Sequence, residues 1–321
     1  MASQLADCAG AMTVSTGLTF QGRPLDVSPG RFGALRASAD ALDDFGELRR
    51  RFEADGYLYL PGMLERETLL AARRRMLEDL AQMSFVDSDF PLMDGVASRE
   101  AAVSALSMQG LAKNNEPLRH ALFSGRMIGF YERFLGGPVR HLDFTWCRVK
   151  TSGSETATSP HYDIVFMGRG TSNLYTSWTP LGDIPRQMGG LMILENSHRQ
   201  EKIKSSYGRI DVDVYCTNAP DAAEIETGQK RWHHADTGQY AKDAVAVGLD
   251  LKSRWLTTDY QLGDLLVFGM YTMHASMDNH TNRLRLSTDT RYQLASEPVD
   301  ERWIGEEPIA HGPEAKKGII C

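Results

Sequence analysis

The chain has 321 residues, 42% of them hydrophobic and 24% charged, and 35 basic against 42 acidic side chains leave a net charge of −7. This is an ordinary globular composition, and its negative balance speaks against a nucleic-acid partner, which binds concentrated positive charge. No run reaches the roughly 18 uninterrupted apolar residues of a membrane helix; the richest, 262–277, is broken by Gly263, Asp264, Gly269 and His274.

Residues 1–40 mix Ser, Gly, Ala and short apolar patches without sustained period, which predicts an N-terminal extension. A single domain is expected over 41–300, followed by a tail over 301–321. Its opening segment, Phe52 to Gly62, reads as a helix end, a glycine turn, a short strand at Tyr57–Leu60 and a Pro-Gly stop. A helix starts near Glu65, where Leu69, Leu70, Met76, Leu77 and Leu80 recur at helical spacing opposite an arginine run. A second amphipathic helix is predicted between Pro117 and Leu135, ending at Gly136-Gly137-Pro138.

From residue 139 onward the texture changes to short β-like runs, 139–149, 173–180, 191–194, 265–268 and 284–292, punctuated by Gly, Pro, Asn and Asp. Helices followed by many short strands predict a mainly β protein, a double-sheet jelly roll with buttressing helices. The long polar stretch 199–258 interrupts the series and is read as a lid-like insertion that covers a substrate. Within it Arg231, Trp232 and His233 mix base and aromatic character suited to an acidic or aromatic small molecule.

The start of the chain lacks a basic leader and a compact apolar core, so a cytoplasmic location is the default expectation. Cys8, Cys147, Cys216 and Cys321 form no C-x-x-C pair. That spacing predicts free thiols rather than disulfides or a thiolate zinc site.

Three places read His-x-Asp: His141/Asp143, His161/Asp163 and His234/Asp236. On an extended chain residues i and i+2 share a face, so each pair can offer an imidazole and a carboxylate to one ion. A second histidine then leaves open positions of the kind that non-haem Fe(II) oxygenases use, while zinc hydrolysis is the competing use of such ligands. Context separates the pairs. His141 and Asp143 lie in an alternating run, the polar face of a half-buried strand, and His234 and Asp236 lie in the polar insertion. His161 follows Pro160 at the edge of the apolar run 164–167, a strand edge facing a cavity mouth. His274, after a buried strand and a Gly break, supplies a late ligand. Arg285 and Ser287 share one face of the next strand, and an inward guanidinium invites a carboxylate by paired charge-assisted hydrogen bonds.

Together these residues resemble the phytanoyl-CoA dioxygenase family of Fe(II)- and 2-oxoglutarate-dependent oxygenases over most of 47–292. The matching elements are Phe52 to Gly62, Pro160-His161-Tyr162-Asp163, Trp178-Thr179-Pro180-Leu181, Gly189-Gly190-Leu191 leading to Asn196-Ser197-His198, Gly263-Asp264, and His274-Ala275-Ser276 through Thr281 ahead of Arg285. The family's usual Pro-Gly-Ser-His reads Glu195-Asn196-Ser197-His198 here, a change in a turn. The resemblance implies a double-stranded β-helix of the cupin-like kind, with Fe(II) on His161, Asp163 and His274. It implies 2-oxoglutarate held at its distal carboxylate by Arg285 and Ser276, Trp178 in the cosubstrate pocket, and O2 as the oxidant. The carboxylate at 163 points away from the related halogenases, which lack it. The implied reaction oxidises, by default hydroxylates, a C–H bond of a small metabolite such as a natural-product intermediate, with release of succinate and CO2. A catalytically inactive binding protein on the same fold and a zinc hydrolase are the alternatives. No membrane or nucleic-acid partner is expected, and the sequence leaves the oligomeric state open.

Overall fold

The computed structural model describes residues 17–99, 101, 105–153, 156–227, 229–230 and 238–321. Two sheets carry the architecture. The larger has seven strands in the order Tyr57–Leu60, Leu265–Gly269, Tyr175–Pro180, Arg285–Leu294, Trp146–Lys150 and Ala105–Ser107, with Val139–His141 also paired to the far end of Arg285–Leu294. The smaller runs His274–Ser276, Leu191–Leu194, Trp255–Thr257 and Phe32–Ala34. All these pairings are antiparallel except that of Trp255–Thr257 with Phe32–Ala34. Trp178, Leu266 and Phe268 from the large sheet meet Leu191, Ile193 and Leu256 from the small one in a single apolar cluster. The sheets therefore lie face to face, as in a cupin-like jelly roll.

The outer face of the large sheet is covered by helices. Phe45–Asp55 is capped by Asp44, which accepts from the Glu47 amide at 2.9 Å, and it stops at Gly56 with φ +76°. Arg66–Gln82 buries Leu69, Ala72, Met76, Leu77 and Leu80, each large side chain giving roughly 1.5–3 kcal/mol of burial. The predicted helix over 117–135 is two helices, Glu116–Phe123 and Gly125–Leu135. The chain breaks between them because Ser124 is extended and Gly125 takes φ +52°. Leu118, Leu122, Phe130, Tyr131 and Phe134 pack with Cys147, Val149, Val267, Leu286 and Tyr292 of the sheet.

Four local expectations change. The described part of the N-terminal extension is built into the fold. Phe32–Ala34 is an edge strand, Leu18, Phe20 and Leu25 are buried, and the Thr19 hydroxyl and Gly22 amide donate to Asp278 at 2.5 and 2.9 Å. The polar stretch 199–258 ends in a sheet strand, Trp255–Thr257, too short to stand out among charges. The run 164–167 is a helical turn, Ile164–Met167, because Asp163 adopts φ −65° and ψ −28°. Cys216 and Cys321 are joined in a disulfide, while Cys147 is a buried free thiol. Strands Val214–Cys216 and Lys317–Ile319 pair in parallel and bring the two Cα atoms to 5.5 Å across 105 residues of sequence, a proximity that spacing along the chain does not reveal. Cys8 lies outside the described residues.

Candidate metal centre

His161 and His274 are neighbours because their backbones form an isolated bridge, each amide donating to the other's carbonyl at 3.1 Å. Nδ1–H of His161 donates to the Ser159 carbonyl at 2.8 Å, and Nδ1–H of His274 to that of Thr272 at 3.0 Å. A carbonyl only accepts, so the proton sits on Nδ1 and the lone pair of each ring is left on Nε2. Both Nε2 atoms face Oδ1 of Asp163, at 3.7 and 3.6 Å. Two donors each about 2.1 Å from one ion stand no more than about 4.2 Å apart, and these separations meet that limit. Among the described residues this is the one group of three His, Cys, Asp or Glu side chains close enough to share an ion.

The second carboxylate oxygen of Asp163 is already used. Oδ2 accepts from the Thr176 hydroxyl at 2.5 Å and from Arg291 Nη2 at 3.1 Å, which turns Oδ1 toward the histidines. Burial alone would raise the carboxyl, but the Arg291 guanidinium, helped by the Thr176 hydroxyl, outweighs it and holds it below the usual carboxylate range. Burial, with His274 beside it, pushes His161 down to about 3, so its ring is neutral at ordinary pH. Two imidazole Nε2 atoms and one carboxylate oxygen in a buried cluster are a donor set that fits Fe(II).

At the other end of the same face lie two buried basic side chains. Ser276 follows His274 by two residues on one strand, so both side chains point inward. Its hydroxyl oxygen accepts from Lys150 Nζ and, at 2.8 Å, from the Thr158 amide, leaving its own proton to donate. Lys150 pairs in register with Arg285, which gives Nη1–H to Ser287 and stands 5.9 Å from the Trp178 ring. The nearby Asp289 is engaged by Arg148 at 2.9 Å. Nε of Arg285 is buried with no hydrogen-bond partner among the described residues. Burial, with the cations Arg285 and Arg148 adding to it, holds Lys150 well below the ordinary lysine range, and burial brings Arg285 down to about 10. An adjacent lysine and arginine, both buried and with an unused donor, fit a bound carboxylate.

The remaining sequence candidates separate. His141 and Asp143 sit 3.5 Å apart, each about one-third exposed, and Asp143 caps the Gly305 amide at 2.7 Å away from the triad. His234 and Asp236, and the expected substrate contacts Arg231, Trp232 and His233, lie outside the described residues. Just beyond them, the Tyr240 amide donates to the Pro160 carbonyl at 2.8 Å and the Tyr207 hydroxyl to that of Gly238. A Cβ on Gly238 would stand 2.2 Å from the Phe166 ring, whose edge meets His161 at 5.4 Å. The insertion thus lies against the loop that carries the first histidine. Gly189 has φ +79°, and a Cβ there would come 2.5 Å from the Met277 carbonyl, so its turn is tied to the strand of the second histidine. Sequence reasoning missed Thr176, Lys150 and Arg291. Continuing the i, i+2 alternation from Arg285 and Ser287 reaches Asp289 and Arg291, and the alternation Trp146, Arg148, Lys150 marks the third.

The sequence profile of the phytanoyl-CoA dioxygenase (PhyH) family matches residues 52–287. The chain belongs to the phytanoyl-CoA dioxygenase family. A 1-deoxypentalenic acid 11-beta-hydroxylase of Streptomyces exfoliatus is 27% identical over 287 residues, covering 87% of this chain and 91% of that one. Among solved structures, EctD from S. alaskensis with 2-oxoglutarate and 5-hydroxyectoine has a TM-score of 0.56 at 14% identity, covering 89% of this chain and 91% of EctD. The carbocyclase SnoK from nogalamycin biosynthesis has a TM-score of 0.54 at 15% identity, covering 83% and 89%. These structures share the fold. This phytanoyl-CoA dioxygenase family member is an Fe(II)- and 2-oxoglutarate-dependent dioxygenase. No helix among the described residues is long and apolar enough to cross a membrane.

Proposed function

We propose that the enzyme hydroxylates an unactivated C–H bond of a small, largely apolar natural-product intermediate, with His161, Asp163 and His274 holding Fe(II). In this reading Arg285 and Ser276 take the distal carboxylate of 2-oxoglutarate, beside Trp178 and Lys150. The observation that carries it is the convergence of two Nε2 lone pairs on Asp163 Oδ1, at 3.7 and 3.6 Å, on the same inward face as the paired basic side chains Lys150 and Arg285. A relative named for hydroxylation of 1-deoxypentalenic acid supports a small-molecule substrate. A cytoplasmic place of action belongs to the same proposal.

When bound, Fe(II) and 2-oxoglutarate supply the redox chemistry: O2 and the keto acid become succinate and CO2 while one oxygen atom enters the substrate. The chain's own residues hold and exclude. Carbonyls 159 and 272 fix both rings, and Thr176 and Arg291 fix the carboxylate. The rings of Phe166 and Phe268 pack on His161 and His274, at 5.4 and 4.5 Å, and keep water from the donors. Half-buried Phe144, Phe166, Tyr207 and Tyr240 offer apolar surface on this side.

The test is an anaerobic optical titration of the metal-free protein with Fe(II) and then 2-oxoglutarate. The visible charge-transfer band of the chelated keto acid should appear, and be lost in His274→Ala. Its absence from folded wild-type protein overturns the reading in favour of a binding protein or a zinc hydrolase.

A further inference from the structure

One buried cation at the centre, Arg291, has more donors than its contact with Asp163 uses. Arg291 is 3% exposed and projects from the inward face of Arg285–Leu294. It uses Nη2 on Asp163, and its Nε and Nη1 have no hydrogen-bond partner among the described residues. Its flat face lies 3.9 Å above the Trp146 ring, which satisfies the cation's π contact and none of its N–H groups. Trp146 in turn packs with Phe144 at 4.5 Å and Trp303 at 4.9 Å. Trp303 is fully buried, and its Nε1–H also lacks a partner among the described residues. Unused donors of this kind are costly when dry. Arg291 and Trp303 thus both border Trp146, and Arg291 also touches Asp163, on the side away from Lys150 and Arg285.

We propose that Arg291, assisted by the indole N–H of Trp303, anchors a carboxylate of the organic substrate, whose hydrocarbon part lies against Phe144 and Trp146. The inference rests on the hydroxylase reading above and names its substrate class: an apolar acid. Fe(II), the two carboxylates of 2-oxoglutarate and Asp163 sum to −1, and Arg285 and Arg291 bring +2, so the loaded centre keeps one positive charge for a further anion. A guanidinium binds a carboxylate through charge-assisted bonds in a fixed plane, and an aromatic wall takes the remainder of the molecule.

The experiment uses the full chain loaded anaerobically with Fe(II) and 2-oxoglutarate. It is titrated with cyclohexane-, decalin- and adamantane-carboxylate and with the matching carboxamides, and binding is read from the charge-transfer band and from tryptophan fluorescence. A charge-assisted pair gives the tightest-binding acid an advantage of about tenfold over its amide in the wild type. Arg291→Gln abolishes that preference, Arg291→Lys restores part of it, and Trp303→Phe, which keeps the ring and removes the N–H, lowers it by about threefold. If Arg291→Gln fails to hold iron, Trp303→Phe carries the same comparison. Acids and amides binding alike, no acid binding at all, or a preference that survives these substitutions overturns the anchor. Failure of the hydroxylase reading is separate: it is the absence of the band in wild-type protein before any acid is added.

Discussion

The two faces of the strand Arg285–Leu294 are both buried, yet they are built from different chemistry. Outward, Leu286 and Tyr292 join the helices: Tyr292 stacks on Tyr131 at 4.2 Å, and its hydroxyl donates to the Leu122 carbonyl at 2.6 Å. Inward, Arg285, Ser287, Asp289 and Arg291 bring charge and hydroxyls into the space between the sheets. A buried face gains stability from apolar contact, so a buried face made of ionisable groups is spending stability on something else. In the function proposed above, that is the retention of a metal and a dianion. The helix-covered face holds the fold, and the opposite face holds the site.

This contrast is broken most strongly at the ligands. Substituting Ala for His161, Asp163 or His274 should lower succinate release by more than the 10–100-fold typical of losing an outer partner of a ligand, with the iron content of the purified protein falling in step and the far-UV spectrum unchanged. On the outer face the reverse should hold. Leu286→Ala should cost about 2–5 kcal/mol of stability in urea unfolding, while the folded fraction keeps its 2-oxoglutarate affinity. Loss of keto-acid binding at native stability in that variant would show that the two faces are not separable.

A smaller effect sharpens the division within the inner face. Arg285→Ala should weaken 2-oxoglutarate by about ten- to a hundredfold, the worth of a charge-assisted contact, and leave iron stoichiometry intact; isothermal titration measures both. The smallest effect concerns protons. Lys150 is held well below the ordinary lysine range by burial and by Arg285, and an arriving carboxylate favours its charged form. Binding then takes up a proton, so affinity rises as pH falls, by at most about tenfold per unit. Titrations in buffers of different ionisation enthalpy should show that uptake, and Lys150→Met should remove it.

Much of this division was legible in the residues. Helical spacing of Leu69, Met76, Leu77 and Leu80 marked the outer layer, and His161, Asp163, His274 and Arg285 stood out as polar residues beside apolar runs, while Ser276 came in only through the family resemblance. The elements that escaped were short. Phe32–Ala34, Trp255–Thr257 and His274–Ser276 have three residues each, too few to display a period. The run 164–167 misled because four apolar residues suit a buried strand and a buried helical turn equally.

The amino-acid order by itself determined which side chains can share a face, since strand and helix periods are local properties of the backbone. On that basis it pointed to the His-x-Asp pairs, to an inward-facing Arg285 and to the jelly-roll class, and the family resemblance supplied the ligand and cosubstrate roles proposed for them. Only the tertiary structure decided which faces meet. The bridge between His161 and His274, the contact of Arg291 with Asp163 across 128 residues, and the Cys216–Cys321 bond across 105 all depend on sheet pairing. Periodicity orients a residue about its own element and carries no information about the partner, which is chosen when two sheets bury their inner faces against each other.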